Sequence, residues 1–275
     1  MRSNIIDFEF GQLHYTHSMS GKDTTLLLLH AFHSSAVSYQ SICALLEDQF
    51  NLVCLDFPGH GLSAHVDCHQ YAWYYSMEGF TAVLMALIER LELSNYYIIG
   101  DSVGGNCAIR VMNTLHNLAG LVLMGTVQAR SVDMLFSLHH QTSALELLFQ
   151  KERSQEEDQV VTAAYVNPHL NEGKAFQLMT YDVQHTDPNC REFFAKQLET
   201  QQWVDELQLV QDATVPLIYI LGEDDGFINS SYYKYVLIET GLKDSQIHLL
   251  KNVRHVPQLD APQTTAKLIC DFIKP

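Results

Sequence analysis

Short runs of apolar residues recur along the chain and alternate with segments in which apolar residues lie three and four positions apart. The runs are nearly continuous in aliphatic or aromatic residues, and they are Thr24–His30, Asn51–Phe57, Asn95–Asp101, Ala119–Gly125, Pro216–Gly222 and Gln246–Lys251. Strands that are buried on both faces have this composition, and alternation with helices is typical of parallel strands. The pattern predicts an α/β fold with a mostly parallel central sheet and helices on both faces.

Local patterns add detail to this prediction. Ile5–Phe10 and Leu13–Ser18 are separated by Gly11-Gln12, which predicts an antiparallel hairpin with its turn at that dipeptide, at the edge of the sheet. Ser76 is a candidate N-cap of a helix, and Val103–Leu115 is a second candidate helix. The apolar face of the first helix comprises Phe80, Val83, Leu84, Leu87, Ile88 and Leu91.

The alternation of strands and helices stops between about residues 127 and 212, where helical and locally charged sequence replaces it. We expect residues 127–212 to form a helical cap inserted over the sheet, and residues 1–126 and 213–275 to form the core. The charged run at residues 151–158 is interpreted as a solvated helix face or loop, with a binding role as the alternative.

The segment Tyr96–Gly105 carries the most specific chemical signal. An apolar strand runs into G-x-S-x-G, with Ser102 at its centre, and then into a helix, which is the context of a nucleophile elbow. So sharp a turn requires glycines beside the serine, and it directs the positive end of the helix at Ser102 Oγ. The alternative is a serine that only caps the helix. The combination favours Ser102 as a nucleophile.

Candidate partners of this serine follow the last two strands. Asp225 lies in an acidic loop after the next-to-last strand, and His255 follows the last one. Catalytic groups of open α/β sheets collect at the carboxyl ends of the strands, where both residues lie. The chain order serine, acid, histidine is also that of an α/β-hydrolase triad. We interpret His255 as the base and Asp225 as the acid that orients it. The N–H groups of Phe32 and Val103 are the candidate oxyanion donors.

The sequence resembles the α/β-hydrolase superfamily over nearly its whole length. The segments that carry the resemblance are the loop at His30, Asp56–Ser63, the elbow, Gly222–Asp225 and His255. More narrowly, the chain is similar to the N-acyl-homoserine lactonases built on this fold in Tyr75–Phe80, Gly125-Thr126 and Ala129-Arg130. It departs from them at His30-Ala31-Phe32, where they have His-Gly-Asn, and at Asp225, where a Glu is found.

These observations predict a serine hydrolase that needs no metal or cofactor and cleaves a carboxylic ester or lactone through an acyl-enzyme. The narrower resemblance implies N-acyl-homoserine lactones as substrates, that is, quorum quenching, and a substrate contact from Tyr165 in the cap. Met134 and Leu138 are candidates to line a slot for an acyl chain, as are Leu135, Leu145, Leu148 and Phe149. Ordinary packing is the alternative for each of them.

Other functions remain as alternatives. A carboxylesterase, including a methyl esterase of the biotin-pathway type, would share these motifs. So would a cofactor-free dioxygenase and a ligand receptor on the hydrolase fold. A haloalkane dehalogenase needs Asp at position 102, and Asp101 lies one residue away. The segment His65–His69 does not match the H-x-H-x-D-H ligand set of metal-dependent lactonases, and we interpret it as a solvated loop.

Charge and cysteine content limit the classes of partner and the cellular compartment that are expected for this protein. A formal net charge of −16 repels phosphate backbones and anionic lipid surfaces, so we expect a small-molecule substrate and no nucleic acid. The 6 cysteines form no C-x-x-C pair and are predicted to be reduced and structural.

The first residues lack an apolar signal region, and Leu26–Leu29 is too short to span a bilayer, which predicts a cytoplasmic protein without stable membrane insertion. The sequence makes no prediction of oligomeric state.

Overall fold

A computed structural model of the protein describes residues 1–170, 173–200, 202–229 and 231–273. Its centre is an 8-stranded sheet in the order β1-β2-β4-β3-β5-β6-β7-β8. The strands are β1 (Arg2–Phe8), β2 (Gly11–Ser18), β3 (Thr25–Leu29), β4 (Asn51–Leu55), β5 (Tyr96–Asp101), β6 (Leu118–Met124), β7 (Leu217–Gly222) and β8 (Ile247–Leu250). β3 to β8 pair in parallel, and β1 and β2 add an antiparallel edge. The predicted fold class is confirmed.

Strand β3 shows why the apolar runs are continuous. Leu27 and Leu29 belong to a hydrophobic cluster on one face of the sheet, whereas Leu26 and Leu28 belong to a second cluster on the other face. All four side chains are fully buried. Because successive residues of a strand point to opposite faces, a sheet covered on both sides needs apolar residues at every position.

The edge hairpin has its turn two residues before the predicted one. Phe8 pairs with Gly11, so Glu9 and Phe10 make the turn, and Gly11 is the first residue of β2. Phe10 is buried, with its ring centroid 4.5 Å from that of Tyr74. The prediction of a Gly11-Gln12 turn was wrong because a buried aromatic residue, which sequence patterns rarely place in a turn, is held there by the core.

Helices cover both faces of the sheet within the described ranges. They are α1 (Gln40–Leu46), α2 (Cys68–Tyr71), α3 (Met77–Arg90), α4 (Val103–Val111), α5 (Val132–Ser137), α6 (Ser143–Leu148), α7 (Gln155–Tyr165), α8 (Lys174–His185), α9 (Pro188–Thr200), α10 (Glu206–Gln211), α11 (Tyr232–Thr240), α12 (Pro257–Asp260) and α13 (Pro262–Ile273). Ser76 caps α3, as predicted, by accepting a hydrogen bond from Gly79 N–H. Helix α4 ends at Val111, four residues before the predicted end.

The described residues between β6 and β7 are helical apart from loops and one bridge between His139 and Ile228. This matches the composition expected of a cap, and the division of the chain into core and cap remains our interpretation. Helix α10, at the end of the expected cap, packs against α4 and α11, which flank the sheet. We therefore interpret α5 to α9 as the cap and α10 as part of the layer that supports β5.

The charged run at residues 151–158 is not simply solvated, as its composition suggested. The Arg153 side chain is fully buried and donates from Nε to Asp158 Oδ1 at 2.9 Å. It also donates to the carbonyl oxygens of Leu147 and Val183. The prediction was wrong for these two residues because the carbonyl groups that bind Arg153 come from α6 and α8, which no local pattern could bring together.

Candidate active site

Ser102 occupies a strained turn between β5 and α4. Its backbone has φ of 52° and ψ of −117°, a conformation that non-glycine residues rarely adopt. A Cβ at Gly100 would lie 2.6 Å from Gly105 Cα, and one at Gly104 would lie 2.3 Å from the Leu29 carbonyl oxygen. The G-x-S-x-G spacing therefore corresponds to a physical need, since a side chain at either glycine would collide with backbone. Ser102 N–H donates to the Met124 carbonyl at 2.8 Å and ties the turn to β6.

His255 and Asp225 form a buried pair at the same edge of the sheet. His255 Nδ1 lies 2.8 Å from Asp225 Oδ2, and the side chains are 3% and 4% exposed. Asp225 Oδ1 accepts from the N–H groups of Phe227 and Ile228, which fixes the carboxylate. Burial alone would lower the pKa of His255, but Asp225 outweighs it, so that the pKa is raised above its usual value. Glu223 and Asp224 are exposed and make no such contact.

The two candidate oxyanion donors, Phe32 and Val103, both lie beside the nucleophile candidate. Phe32 follows β3 and Val103 opens α4, and both line the cavity that contains Ser102 and His255. Neither backbone N–H donates a hydrogen bond to any other part of the described chain. Buried amides normally find an acceptor, so this pair is available to an oxygen atom of a bound molecule.

An apolar cavity covers Ser102 and His255. The described residues that line it are Phe32, Met77, Ser102, Val103, Asn106, Gly125, Val127, Leu135, Phe136, His139, Leu145, Leu148, Phe149, Tyr165, Phe194, Leu198, Trp203, Phe227 and His255. Most of the apolar wall comes from the helices between β6 and β7. Such a cavity suits a ligand with a hydrophobic chain and a small polar end.

Two of the predicted lining residues do not face this cavity. Met134 and Leu138 lie one position before Leu135 and His139, which do line it. Met134 Sδ instead accepts from Arg130 N–H, and Leu138 packs against the core from outside the cavity. Leu135, a third candidate from this segment, does line the cavity, because the rotation of the short helix α5 is set by the helices that pack against it. Leu145, Leu148 and Phe149 do line the cavity, as expected.

Tyr165 reaches the cavity and also holds the loop after β3. Its hydroxyl donates to the Phe32 carbonyl at 2.6 Å and lies 3.5 Å from His33 Nδ1. Arg153 Nη1 lies 3.3 Å from His33 Nε2. Burial, followed by the charges of Arg153 and Arg191, keeps the pKa of His33 well below its usual value. A neutral His33 that accepts from Arg153 must carry its proton on Nδ1, so donors and acceptors run in one direction from Arg153 to the Phe32 carbonyl.

Several lining residues were not predicted from the sequence. Asn106 could have been found, because it lies four positions after Ser102 and therefore on the same face of α4. His139 and Trp203 carry no local signal, since they reach the cavity through the packing of the helices between β6 and β7.

The remaining features concern metal ligands, the His65–His69 segment, the cysteines and membrane-spanning helices. Within the described ranges, no three His, Cys, Asp or Glu side chains are grouped as ligands of a metal ion. The His65–His69 segment is not only a loop, as its composition suggested, because Asp67 caps α2 and the helix begins at Cys68. All 6 cysteines are free thiols. No helix in the described part of the chain has the length and hydropathy needed to cross a membrane.

Comparison with known families agrees with this geometry. The sequence model of the serine aminopeptidase family S33 matches residues 21–261. The chain belongs to this family. It is a serine hydrolase of the α/β-hydrolase fold.

Relatives of this hydrolase cover almost the whole chain at low identity. An uncharacterized hydrolase, YugF of Bacillus subtilis, is 21% identical over 281 residues and covers 95% of this chain and 94% of the relative. The monoacylglycerol lipase ABHD6 of Bos taurus is 21% identical over 263 residues, covering 92% of this chain and 76% of the relative.

Solved structures show the same fold. A mutant of the N-acyl homoserine lactonase AidH, complexed with N-hexanoyl homoserine lactone, superposes with a TM-score of 0.86 at 18% identity, covering 100% of this chain and 98% of AidH. A thermophilic esterase from Thermogutta terrifontis, with malate bound, has a TM-score of 0.77 at 17% identity and covers 100% of this chain and 98% of the esterase. At these identities the likeness establishes the fold and not the substrate.

A second carboxyl group, that of Asp101, is buried next to Ser102 in this hydrolase. Asp101 is fully buried, and Oδ2 accepts from Gln258 Nε2 at 2.7 Å. Asp101 Oδ1 and Gln258 Oε1 have no hydrogen-bond partner among the described residues. Burial raises the pKa of Asp101 to about 7, and His255 and Gln258 offset only part of that effect. The carboxyl group is therefore neutral in mildly acidic solution and charged at alkaline pH.

We expect Asp101→Asn to stabilise the protein at alkaline pH. The pKa of Asp101 in the folded state exceeds that of an unfolded aspartate, so its contribution is fully present below about pH 4 and is lost as the pH rises through about 7. Asparagine stays neutral and can donate to Gln258 Oε1. The gain over wild type should be small at pH 5 and reach about 2–4 kcal/mol at pH 8.5, measured by urea unfolding. The exposed Asp224→Asn is the control, and a gain that did not change with pH would contradict the assignment.

Proposed function

We propose that this hydrolase opens the lactone ring of N-acyl-homoserine lactones, with Ser102 as nucleophile, His255 as base and Asp225 as the acid that orients His255. The observation that carries the proposal is the apolar cavity over Ser102 and His255. No carboxylate, ammonium or guanidinium group is among its described lining residues. Such a cavity favours a neutral substrate with an acyl chain, which matches the ligand of the AidH complex.

The proposed reaction begins with attack of Ser102 Oγ on the lactone carbonyl carbon. The proton of Oγ passes to His255 Nε2, which is free to accept it because Nδ1–H points at Asp225. The carbonyl oxygen becomes an oxyanion between the N–H groups of Phe32 and Val103. The ring C–O bond then breaks, and His255 returns the proton to the leaving alkoxide.

The acyl-enzyme that results is an ester of Ser102. Water attacks it while His255 takes a proton from the water, and the ester bond to Oγ breaks. Ser102 recovers its proton from His255, and the product leaves as N-acyl-homoserine with a free carboxylate and a hydroxyl group. Each step uses the same pair of backbone donors.

A carboxylesterase acting on acyl-chain esters is the second candidate, because the same cavity and the same side chains would serve it. An aminopeptidase activity, which the family description names, has less support. A substrate with a free α-ammonium group needs a negative partner, and the described lining residues include no carboxylate. A receptor function would require ligand binding without turnover.

The Ser102→Ala variant tests the nucleophile. We expect it to fold normally and to lose turnover by a factor of about 10⁴ or more, because only binding and the oxyanion donors remain. Initial rates over a substrate series give the loss, and calorimetry with a homoserine lactone shows that the cavity still binds. Retention of one tenth of the wild-type rate would exclude Ser102 as the nucleophile.

The substrate and the absence of a metal requirement are tested in one assay. Wild-type protein should convert N-hexanoyl-homoserine lactone to N-hexanoyl-homoserine, identified by product mass, at the same rate before and after exhaustive dialysis against EDTA. The serine mechanism needs no ion to activate water. Loss of activity that zinc restores would overturn the mechanism. Rapid cleavage of aryl esters without lactone opening would instead favour the carboxylesterase.

Replacing Asp225 by Asn should change both the rate and its pH dependence. His255 must be neutral to act as a base, so the wild-type rate should rise with pH through a pKa above 6.5. Without the Asp225 charge, burial lowers the pKa of His255, and the ascending limb should move to lower pH. The maximal rate should fall by about 10²–10⁴-fold because imidazolium is no longer stabilised. Glu223→Gln and Asp224→Asn are controls, and a larger loss in either would assign the acid to that residue.

A further inference from the structure

Polar atoms are scarce in the cavity, and most of them already have partners. Tyr165, Trp203 and His139 each donate to a backbone carbonyl. Asn106 donates from Nδ2 to the Val127 carbonyl at 2.7 Å and to Glu206 Oε2 at 2.8 Å. Asn106 Oδ1 accepts no hydrogen bond from any described residue. This oxygen is an acceptor offered by a cavity-lining residue.

The orientation of the Asn106 amide is fixed from behind. Exchange of its oxygen and nitrogen would place Oδ1 against the Val127 carbonyl, which can only accept, and against the Glu206 carboxyl group. Glu206 is fully buried and also accepts from Arg110 Nε at 2.8 Å. The Arg110 guanidinium lies 4.5 Å from the ring centroid of Trp203.

A buried charged pair contributes little to stability, because both groups lose their hydration. The role of this pair is to fix the position of Asn106. Glu206 and Arg110 hold Asn106 from the side away from the ligand, so that Nδ2 is fully engaged and Oδ1 remains for a bound molecule. A cavity that needed only to be apolar would not require such a network behind one of its walls.

The position of Asn106 relative to the nucleophile limits which part of a substrate it can contact. Its backbone N–H donates to the Ser102 carbonyl at 3.0 Å, one helical turn along α4. Ser102 and Asn106 also line the same cavity. A group bonded to the carbon next to the scissile carbonyl would therefore lie within reach of Oδ1.

We propose that Asn106 Oδ1 accepts a hydrogen bond from an N–H group on the carbon next to the scissile carbonyl of the substrate. The hydrolase would thereby select α-acylamino esters and lactones over substrates with a methylene group at that position. The inference rests on the proposed function, because it takes Ser102 as the group that attacks the carbonyl. A methylene there would leave Oδ1 without water or a partner, and discrimination of about 10- to 100-fold is expected for one such acceptor.

The test uses two esters that differ only at this position: methyl N-butanoylglycinate, which carries the N–H, and methyl 4-oxoheptanoate, which has a methylene group in its place. Wild type should cleave the first with a kcat/KM about 10- to 100-fold higher. Asn106→Leu should bring the ratio to about one, mainly by slowing cleavage of the acylamino ester. Because both esters are assayed on one preparation, the ratio does not depend on the folded fraction. Asn106→Ala serves if the leucine variant does not fold.

His139 provides the matched control. Its Nδ1 donates to the Leu135 carbonyl, so Nε2 of the neutral ring is a second acceptor of a cavity-lining residue. His139→Phe should keep the preference for the acylamino ester. A preference lost in His139→Phe but kept in Asn106→Leu would assign the acceptor to His139 and overturn the proposal. A wild-type ratio near one would also overturn it.

Failure of the proposed function is distinguished by a binding measurement. If wild type opens no lactone, the two esters are compared as ligands of Ser102→Ala by calorimetry, where no turnover interferes. A 10- to 100-fold difference in Kd that Asn106→Leu in the same background removes would support the role of Asn106 although the lactonase proposal had failed. Equal Kd values would overturn the role of Asn106.

Discussion

The strained turn at Ser102 is the constraint on which the site depends. A non-glycine residue with φ of 52° costs of order 1–3 kcal/mol, and it persists only because the surrounding packing leaves the chain no other path. Gly100 and Gly104 permit that packing, since any side chain there would meet backbone atoms of α4 or β3. In return, the turn holds the serine side chain at the carboxyl edge of the parallel strands. The loops after β3, β7 and β8 leave the sheet at the same edge. Residues far apart in sequence therefore line one cavity.

Buried acids surround this edge and share one electrostatic property. Burial raises the pKa of Asp101, Asp182 and Glu206 to about 7 in each case. Asp101 precedes the nucleophile, Asp182 accepts from Ser35 in the loop after β3, and Glu206 accepts from Asn106 in the cavity wall. Each acid therefore contributes stability that is lost as the pH rises through neutrality. This loss of stability occurs at positions where a carboxyl group holds a segment of the site. The buried acids therefore act mainly to fix the positions of neighbouring residues, and less to stabilise the fold.

Local sequence was sufficient for features that a few neighbouring residues determine. The elbow needs glycines at fixed spacing, and the strands of the sheet need apolar residues at every position. The elbow and the ends of the parallel strands were therefore predicted to within one or two residues. Of the three acids in the loop after β7, Asp225 is the one whose carboxylate contacts His255, whereas its two acidic neighbours are exposed. Features set by tertiary packing were missed. Helical spacing made both Met134 and Leu135 candidates, and only Leu135 lines the cavity, because no pattern in the sequence marks the rotation of α5.

The charged run shows most clearly why composition fails where contacts are non-local. Arg153 belongs to a hydrophilic stretch, yet its side chain is buried and bonds to Asp158 and to several carbonyl groups in place of water. Once buried, it determines which nitrogen of neutral His33 carries the proton, and the Nδ1–H then faces Tyr165, which donates to the Phe32 carbonyl. The amide of Phe32 and its carbonyl are fixed by different parts of the chain, the loop after β3 and the cap respectively. Tyr165 therefore holds Phe32 through its carbonyl, whereas the N–H proposed as an oxyanion donor belongs to the preceding peptide of the loop after β3. Residues outside the short sequence motifs thus help to position the residue that carries this proposed donor.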